Sequence, residues 1–212
     1  MSDTEIIVPS SSYTTLPIPK SIPVKMVYAT GPWSFSGTTL SDGHVFSANS
    51  LYDPDTTGTG HQPRGFDQLS ALYKMYRVHT AEFLFTVVNT GASRMYVNVA
   101  PDTSSSTPTG LTPMEMLETR GKVVELEPAG DNAGRDKKII YLKVNIPTFL
   151  GLKWSQFMDD DYAASTAANP SRQAFVKIAG RAWSTTAYSF DVTHVRILYR
   201  GRMYDRTRPA SS

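Results

Sequence analysis

The chain has 212 residues, 40% of them hydrophobic and 19% charged, with 14 Gly, 14 Pro and a formal net charge of +2. That is the composition of a folded chain with one large core or two small ones, and it lacks the charge excess and apolar poverty of disorder. The absence of Cys excludes disulfides, thiolate zinc sites and cysteine nucleophiles, and so small a net charge does not by itself demand a nucleic acid or a membrane as partner.

Residues 1–20, rich in Ser, Thr and Pro, read as a flexible N-terminal arm. Asp3 and Glu5 stand where a signal peptide carries Lys or Arg. No stretch reaches the roughly 18–20 apolar residues that cross a bilayer, so a soluble chain without membrane insertion is expected. Beyond the arm, Ile22, Val24, Met26 and Tyr28 fall on one parity. So do Met95, Val97 and Val99, and again Ile140, Leu142, Val144 and Ile146. Period two predicts strands with one face in a core. His44–Ser50, Tyr76–Asn89, Lys122–Leu126, Gln173–Ala182 and Ala187–Tyr204 are strand-like in composition but mixed in phase. Within Tyr76–Asn89 the apolar parity moves from Tyr76 and Val78 to Phe83, Phe85 and Val87, which predicts a bulge or burial of both faces.

Two helices interrupt the strands. Phe66, Leu69, Leu72 and Tyr73 are helically spaced within 65–75. Thr112, Pro113 and Glu115 form a capping box that opens the second. The segments 53–63, 102–111, 128–136 and 159–171 read as long loops. Eight strands, with helices only between strands, predict an all-β, eight-stranded antiparallel jelly roll made of two four-stranded sheets.

The chemistry-bearing motifs are sparse. The four histidines, His44, His61, His79 and His194, lack ligand spacing, and no His-x-His stands where a cupin-like enzyme carries its metal. The glycine-rich run Gly58–Gly65 has no Lys-Ser/Thr ending and reads as a loop. No Gly-x-Ser-x-Gly elbow is present. Asp159, Asp160 and Asp161 are either a solvated acidic loop or, packed at an interface, ligands for Ca²⁺. Arg196, Arg200, Arg202, Arg206 and Arg208 crowd the C-terminal end with Tyr199 and Tyr204, a combination suited to phosphates and exposed bases or to a charged edge strand.

One segment is specific. His61-Gln62-Pro63-Arg64-Gly65-Phe66-Asp67-Gln68-Leu69, continuing through Ala71-Leu72-Tyr73 to Tyr76-Arg77-Val78, resembles a signature of capsid proteins of circular Rep-encoding single-stranded DNA viruses. These coats are similar in turn to tombusvirus-like shell domains. Gly121–Val124, the run Lys137–Tyr141 and the closing run Tyr188–Tyr204 fit more loosely. The resemblance implies a viral jelly roll over 21–204 with strands B to I at 21–30, 43–50, 76–89, 93–100, 121–127, 137–146, 173–182 and 187–204. It implies helices in the CD and EF connections, and a tail at 205–212. It also implies a non-enzymatic capsid protein that assembles with itself into a small icosahedral T=1 shell around a single-stranded genome, DNA rather than RNA. Such a protein resides in the virion and in the host nucleus or cytoplasm during assembly. A catalytic centre is not expected, nor a cofactor beyond Ca²⁺ between subunits at Asp159–Asp161. Such coats usually begin with a basic arm, yet residues 1–19 contain no Lys or Arg. Lys20 and Lys25 are therefore expected to face nucleic acid, with Arg200 and Arg202 as further candidates. The alternative is a non-viral jelly roll that binds carbohydrate or another ligand, with Trp33, Trp154 and Trp183 as stacking platforms.

Overall fold

The computed structural model describes residues 18–37, 42–106, 112–129, 137–184 and 187–207. Ten strands run in chain order: β1 (Ser21–Thr30), β2 (Trp33–Gly37), β3 (Asp42–Ser47), β4 (Tyr73–Asn89), β5 (Met95–Asp102), β6 (Lys122–Leu126), β7 (Lys137–Asn145), β8 (Ala164–Ser165), β9 (Phe175–Ala182) and β10 (Tyr188–Arg206). Short helices lie between them: α1 (Phe66–Ser70), α2 (Pro113–Glu118), α3 (Ile146–Phe149) and α4 (Trp154–Phe157), followed by a 3-10 turn at Asp160–Tyr162.

One sheet has the order β1-β10-β4-β7, with β2 added on β10 and β8 on β4; the other has the order β3-β9-β5-β6. Every pairing is antiparallel. Lettered by the eight long strands, B-I-D-G faces C-H-E-F, which is a jelly roll. The eight expected strands are all present, their ends displaced by at most three residues. The expected pair of four-stranded sheets is corrected to six and four, because β2 and β8 also pair.

The core lies between the sheets. Phe46 comes from the smaller sheet and Phe83, Phe85, Phe190 and Tyr199 from the larger, all essentially without solvent exposure. The Tyr199 hydroxyl donates across the sandwich to the Ser47 carbonyl at 2.7 Å. Two bulges explain the mixed phases. The β10–β4 register shifts between Arg200 and Gly201, leaving His79 as the extra residue on β4, and between Val192 and His194, leaving Thr193 extra on β10. Each bulge exchanges the inward parity. Tyr76 and Val78 thus share the core with Phe83 and Phe85, and Phe190 and Val192 share it with Val195 and Ile197.

The helices differ more from expectation. The Thr112 capping box is present, its side-chain oxygen accepting from the Glu115 N–H at 3.2 Å while the Thr112 N–H donates to Glu115 Oε2 at 2.7 Å. The helix expected over 65–75 ends at Ser70, and Tyr73 lies in β4 opposite Arg206. The long sheet takes up its last turn. The expected loop after residue 159 contains the 3-10 turn and β8, while α3 and α4 precede it. Strand β10 runs to Arg206, past the expected boundary at 204. Residues 1–17 of the expected arm and 208–212 of the expected tail, Arg208 included, lie outside the described residues. The end of the arm is tied down, with the Ile18 carbonyl accepting from Arg206 Nη1 at 3.0 Å and the Pro19 carbonyl from the Tyr73 hydroxyl at 2.9 Å.

Gly201 sits beside the β4 bulge, where a Cβ would lie 2.3 Å from the Arg77 carbonyl oxygen. Main chain cannot yield as a side chain does. Gly201→Ala is therefore expected to cost roughly 1–3 kcal/mol, read as a lower urea midpoint at unchanged m-value.

Candidate nucleic-acid interface

The segment 61–78 that carries the family resemblance is a packing device. His61 Nε2 bonds the Ala29 carbonyl at 2.9 Å, its ring lies 4.7 Å from that of Tyr28, and the Arg64 N–H reaches the Val27 carbonyl at 3.3 Å. Phe66 is buried edge-on against Tyr76 at 5.8 Å. This stretch runs from the β3–β4 connection into β4, the place the resemblance gives it, and it fastens the connection onto β1.

The larger sheet turns a row of cations outward. Lys25 on β1 is directly opposite Arg200 on β10, and Pro23 is opposite Arg202. Directly opposed residues of an antiparallel pair share a face. Arg196 belongs to the same row, two register positions from Leu198 and four from Arg200 along β10. Against them stands Glu82, 3.3 Å from Arg200 Nε and 3.9 Å from Lys143 Nζ. Three of the four candidate cations thus come together. Lys20 is exposed ahead of β1 and lies outside this register.

Beside the row is a hollow of about 340 Å³, floored by Trp154, Phe157 and Met158 from α4 and its end, and walled by His79, Arg202 and Tyr204. A second hollow, also about 340 Å³, meets it at His79 and is lined by Lys25 and Arg200. Trp154 is 58% exposed, with its ring 5.6 Å from Phe157 and 6.2 Å from His79. Burial lowers the pKa of His79, and the nearby positive charges of Arg200 and Arg202 lower it further. The field here is positive enough to be felt by a neighbouring base. Sequence reading missed this hollow, because the bulge that turns His79 outward and the fold that brings α4 over β10 leave no local pattern.

Arg77 holds the hollow together. It is 8% exposed and donates from Nη2 to the carbonyls of Met158 (2.8 Å) and Asp159 (3.0 Å). Its guanidinium lies 5.6 Å from the centre of the Tyr204 ring. Arg77 Nε and the Tyr204 hydroxyl are both buried without a hydrogen-bond partner among the described residues.

The three consecutive aspartates disperse. Asp159 caps the 3-10 turn by accepting from the Asp161 N–H, Asp160 is 3.8 Å from Arg77, and Asp161 is 3.9 Å from Arg172. Successive residues of a tight turn point apart, so within one chain they form no shared site. Among the described residues no group of three His, Asp or Glu side chains is placed to hold a metal ion. The histidines are likewise separate. His44 Nε2 bonds Asp55 at 2.8 Å and His194 Nε2 bonds the Thr86 hydroxyl at 3.0 Å. Of the tryptophans, Trp33 packs on His44 and Phe46, whereas Trp154 and Trp183 are exposed.

The smaller sheet contrasts with this. Arg94 pairs with Glu125 at 3.2 Å and Glu127 at 3.1 Å, and the buried Lys177 pairs with Asp102 at 2.7 Å. Arg94 and Lys177 are thus matched locally.

No protein-family model matches the sequence, and no curated protein matches it. Among solved structures the chain is similar to that of Cocksfoot mottle virus, at 14% identity and TM-score 0.49, covering 99% of this chain and 94% of that one. It is similar to the cryo-EM structure of Mud crab tombus-like virus, at 14% identity and TM-score 0.47, covering 99% and 93%. It is also similar to the empty head of Turnip Yellow Mosaic Virus, at 13% identity and TM-score 0.42, covering 100% and 93%. None of these three is named as a circular single-stranded DNA virus, and they lend no support to an attribution to that group.

Two outcomes are expected. Arg77→Met leaves the Met158 and Asp159 carbonyls without their charged donor and is expected to cost roughly 1.5–3 kcal/mol, with faster proteolysis across 150–172. Burial pushes the Asp55 carboxyl up, but hydrogen bonds from His44 and Thr57 outweigh it and hold the pKa below 3.8. Its contribution to stability is therefore present above that value and lost as pH falls through the lowered one. An acid titration of stability is expected to be shallower in Asp55→Asn than in the wild type.

Proposed function

We propose that this chain is a capsid protein, the structural unit of a small icosahedral shell that encloses a single-stranded genome, without catalytic activity. The observation that carries this reading is the sidedness of the sandwich. One broad face bears Lys25, Arg196, Arg200 and Arg202, while on the other Arg94 and Lys177 are paired with carboxylates. A tile with one cation-rich face is suited to lying against a polyanion.

Exposed apolar side chains supply the contacts between tiles. They occur on separate elements: Met114 (59%) and Leu117 (52%) on α2, Ile139 (62%) and Tyr141 (51%) on the edge strand β7, and Trp183 (56%) beyond β9. A soluble monomer has little use for several such patches. Head-to-tail contacts between unlike patches are what close identical subunits into a shell, in the simplest T=1 case from roughly sixty copies. The net charge of +2 limits how much genome each copy neutralises. The self-assembling shell is the partner that matters most, and the genome, DNA or RNA, the second.

The purified protein is expected to sediment as particles and to appear as closed spheres in negative stain. A chain that stays monomeric at every salt concentration and pH overturns the proposal. Leu117→Asp on exposed α2 is expected to abolish particles while shifting Tm by little, since surface changes usually stay within about ±0.5 kcal/mol. The competing carbohydrate-binding reading takes support from the exposure of Trp154 and Trp183. Glycan-array binding by an unassembled protein is the result that favours it.

A further inference from the structure

We propose that the hollow between α4 and β10 holds one base of a single-stranded nucleic acid, stacked on Trp154, with the adjoining phosphates against Arg202 and the Lys25–Arg200 pair. This rests on the reading of the chain as a genome-enclosing subunit and gives that reading a specific contact.

The hollow has the two parts that such recognition needs. Its floor is aromatic and soft, formed by Trp154, Phe157 and Met158. Trp154 is held from one side by Phe157, and more than half of its surface stays open. An open indole beside a cationic rim is a stacking platform for any base. At about 340 Å³ the space lies at the small end of ligand pockets, which run from roughly 300 to 1,000 Å³.

Its rim is cationic and continuous with the second hollow. His79 forms the wall common to both, with Arg202 on one side and Lys25 and Arg200 on the other. A base seated on Trp154 therefore has positive charge on the side from which its backbone must leave. Glu82 partly neutralises Arg200, at 3.3 Å, and Asp160 lies 3.8 Å from Arg77. Arg202 has Ser21 Oγ at 3.0 Å as its bonded neighbour, a neutral partner, and among the described residues no carboxylate is paired with it. The buried Arg77 Nε and Tyr204 hydroxyl, both without partners among the described residues, belong to side chains of the same hollow. A neutral sugar makes no use of this rim; a nucleotide uses floor and rim together.

The test is the binding of dye-labelled thymidine and uridine oligonucleotides of about ten residues, followed by anisotropy at about 50 and 200 mM salt. Trp154→Ala is expected to weaken binding roughly ten-fold with an unchanged salt slope, and Trp154→Phe to keep it within about three-fold. Arg202→Gln is expected to weaken binding and to lower the salt slope by about one. Tyr52→Ala, at an exposed ring that lines neither hollow, is expected to leave binding unchanged. A loss with Trp154→Ala on either oligonucleotide supports the site, and the strand that shows the larger loss identifies the sugar it prefers. Trp154→Ala binding within two-fold of wild type, in protein that melts like the wild type, overturns the site. So does an equal loss with Tyr52→Ala, or displacement by inorganic phosphate that is the same with and without Trp154. Particles that form while Trp154→Ala leaves affinity intact reject this site and keep the shell reading. A chain that never assembles yet loses oligonucleotide binding with Trp154→Ala rejects the shell and keeps the site.

Discussion

The antiparallel pairing of β10 with β4 is the constraint on which the rest of the structure depends. It joins Phe190 opposite Asn89 to Arg206 opposite Tyr73, and β10 carries β1 and β2 on its other side. A strand in this position must send one parity into the core, and β10 as written cannot do so without interruption. Phe190 and Val192 are even, whereas Val195, Ile197, Tyr199 and Met203 are odd. Without the bulge at Thr193 the even parity would continue and drive Arg196 and Arg200 between the sheets. Burying unpaired guanidinium groups there would cost more than the bulge does. The bulge thus secures the core and places the arginines outside in one step. The second bulge, at His79, does the same for β4 and leaves an imidazole projecting between the two hollows.

A second set of contacts holds the far end. The Tyr76 hydroxyl, whose pKa burial raises to about 12, donates to the Ala168 carbonyl at 2.9 Å and lies 3.1 Å from Ser50 Oγ. Asn49 donates to the Arg172 carbonyl and accepts from the Ala174 N–H, both at 2.9 Å. With Arg77 bonded to the carbonyls of Met158 and Asp159, these bonds hold the connection between β7 and β9 down on the sheet at its middle and at its C-terminal end. The position of Trp154 follows from that. It is carried by a single turn of helix with little stability of its own, and its place is fixed by contacts on either side rather than by local propensity.

Where apolar periodicity was long enough, the sequence made the strands legible: β1, β5 and β7 alternate cleanly, and the parity breaks in β4 and β10 mark the bulges. What escaped is short or decided from a distance. Strand β2 offers only Trp33 and Phe35 as an alternating pair, β8 is two residues long, and α3 and α4 are single turns of four residues. Periodicity needs more length than that. The helix expected over 65–75 ran too far because Leu72 and Tyr73 continue a helical spacing, while pairing with β10 decided otherwise. Lys25, Arg200 and Arg202 stood out singly as candidate cations. That they share a face follows from the β1–β10 register, which couples opposite ends of the chain and leaves no trace in either end alone. The aspartate run shows the opposite relation. Its residues are adjacent in sequence, and adjacency in a turn separates side chains.

Net charge and charge placement answer different questions here. A total of +2 describes a nearly neutral chain, and residues 1–19 contribute no Lys or Arg to it. On that total alone, attraction to a polyanion is weak. The fold sorts the charges, however. Carboxylates that match the basic residues of the smaller sheet lie beside them, at Glu125, Glu127 and Asp102, and burial of Lys177 strengthens its pairing. The larger sheet keeps Glu82 as its main counterweight and leaves Lys25, Arg196 and Arg202 facing outward. Because screening confines such interactions to about 8–10 Å at moderate salt, a phosphate near this face feels its local cations far more than the carboxylates of the opposite sheet. The polarity of the tile is therefore a product of strand register, and the same two bulges that complete the core determine which side of the protein is positive.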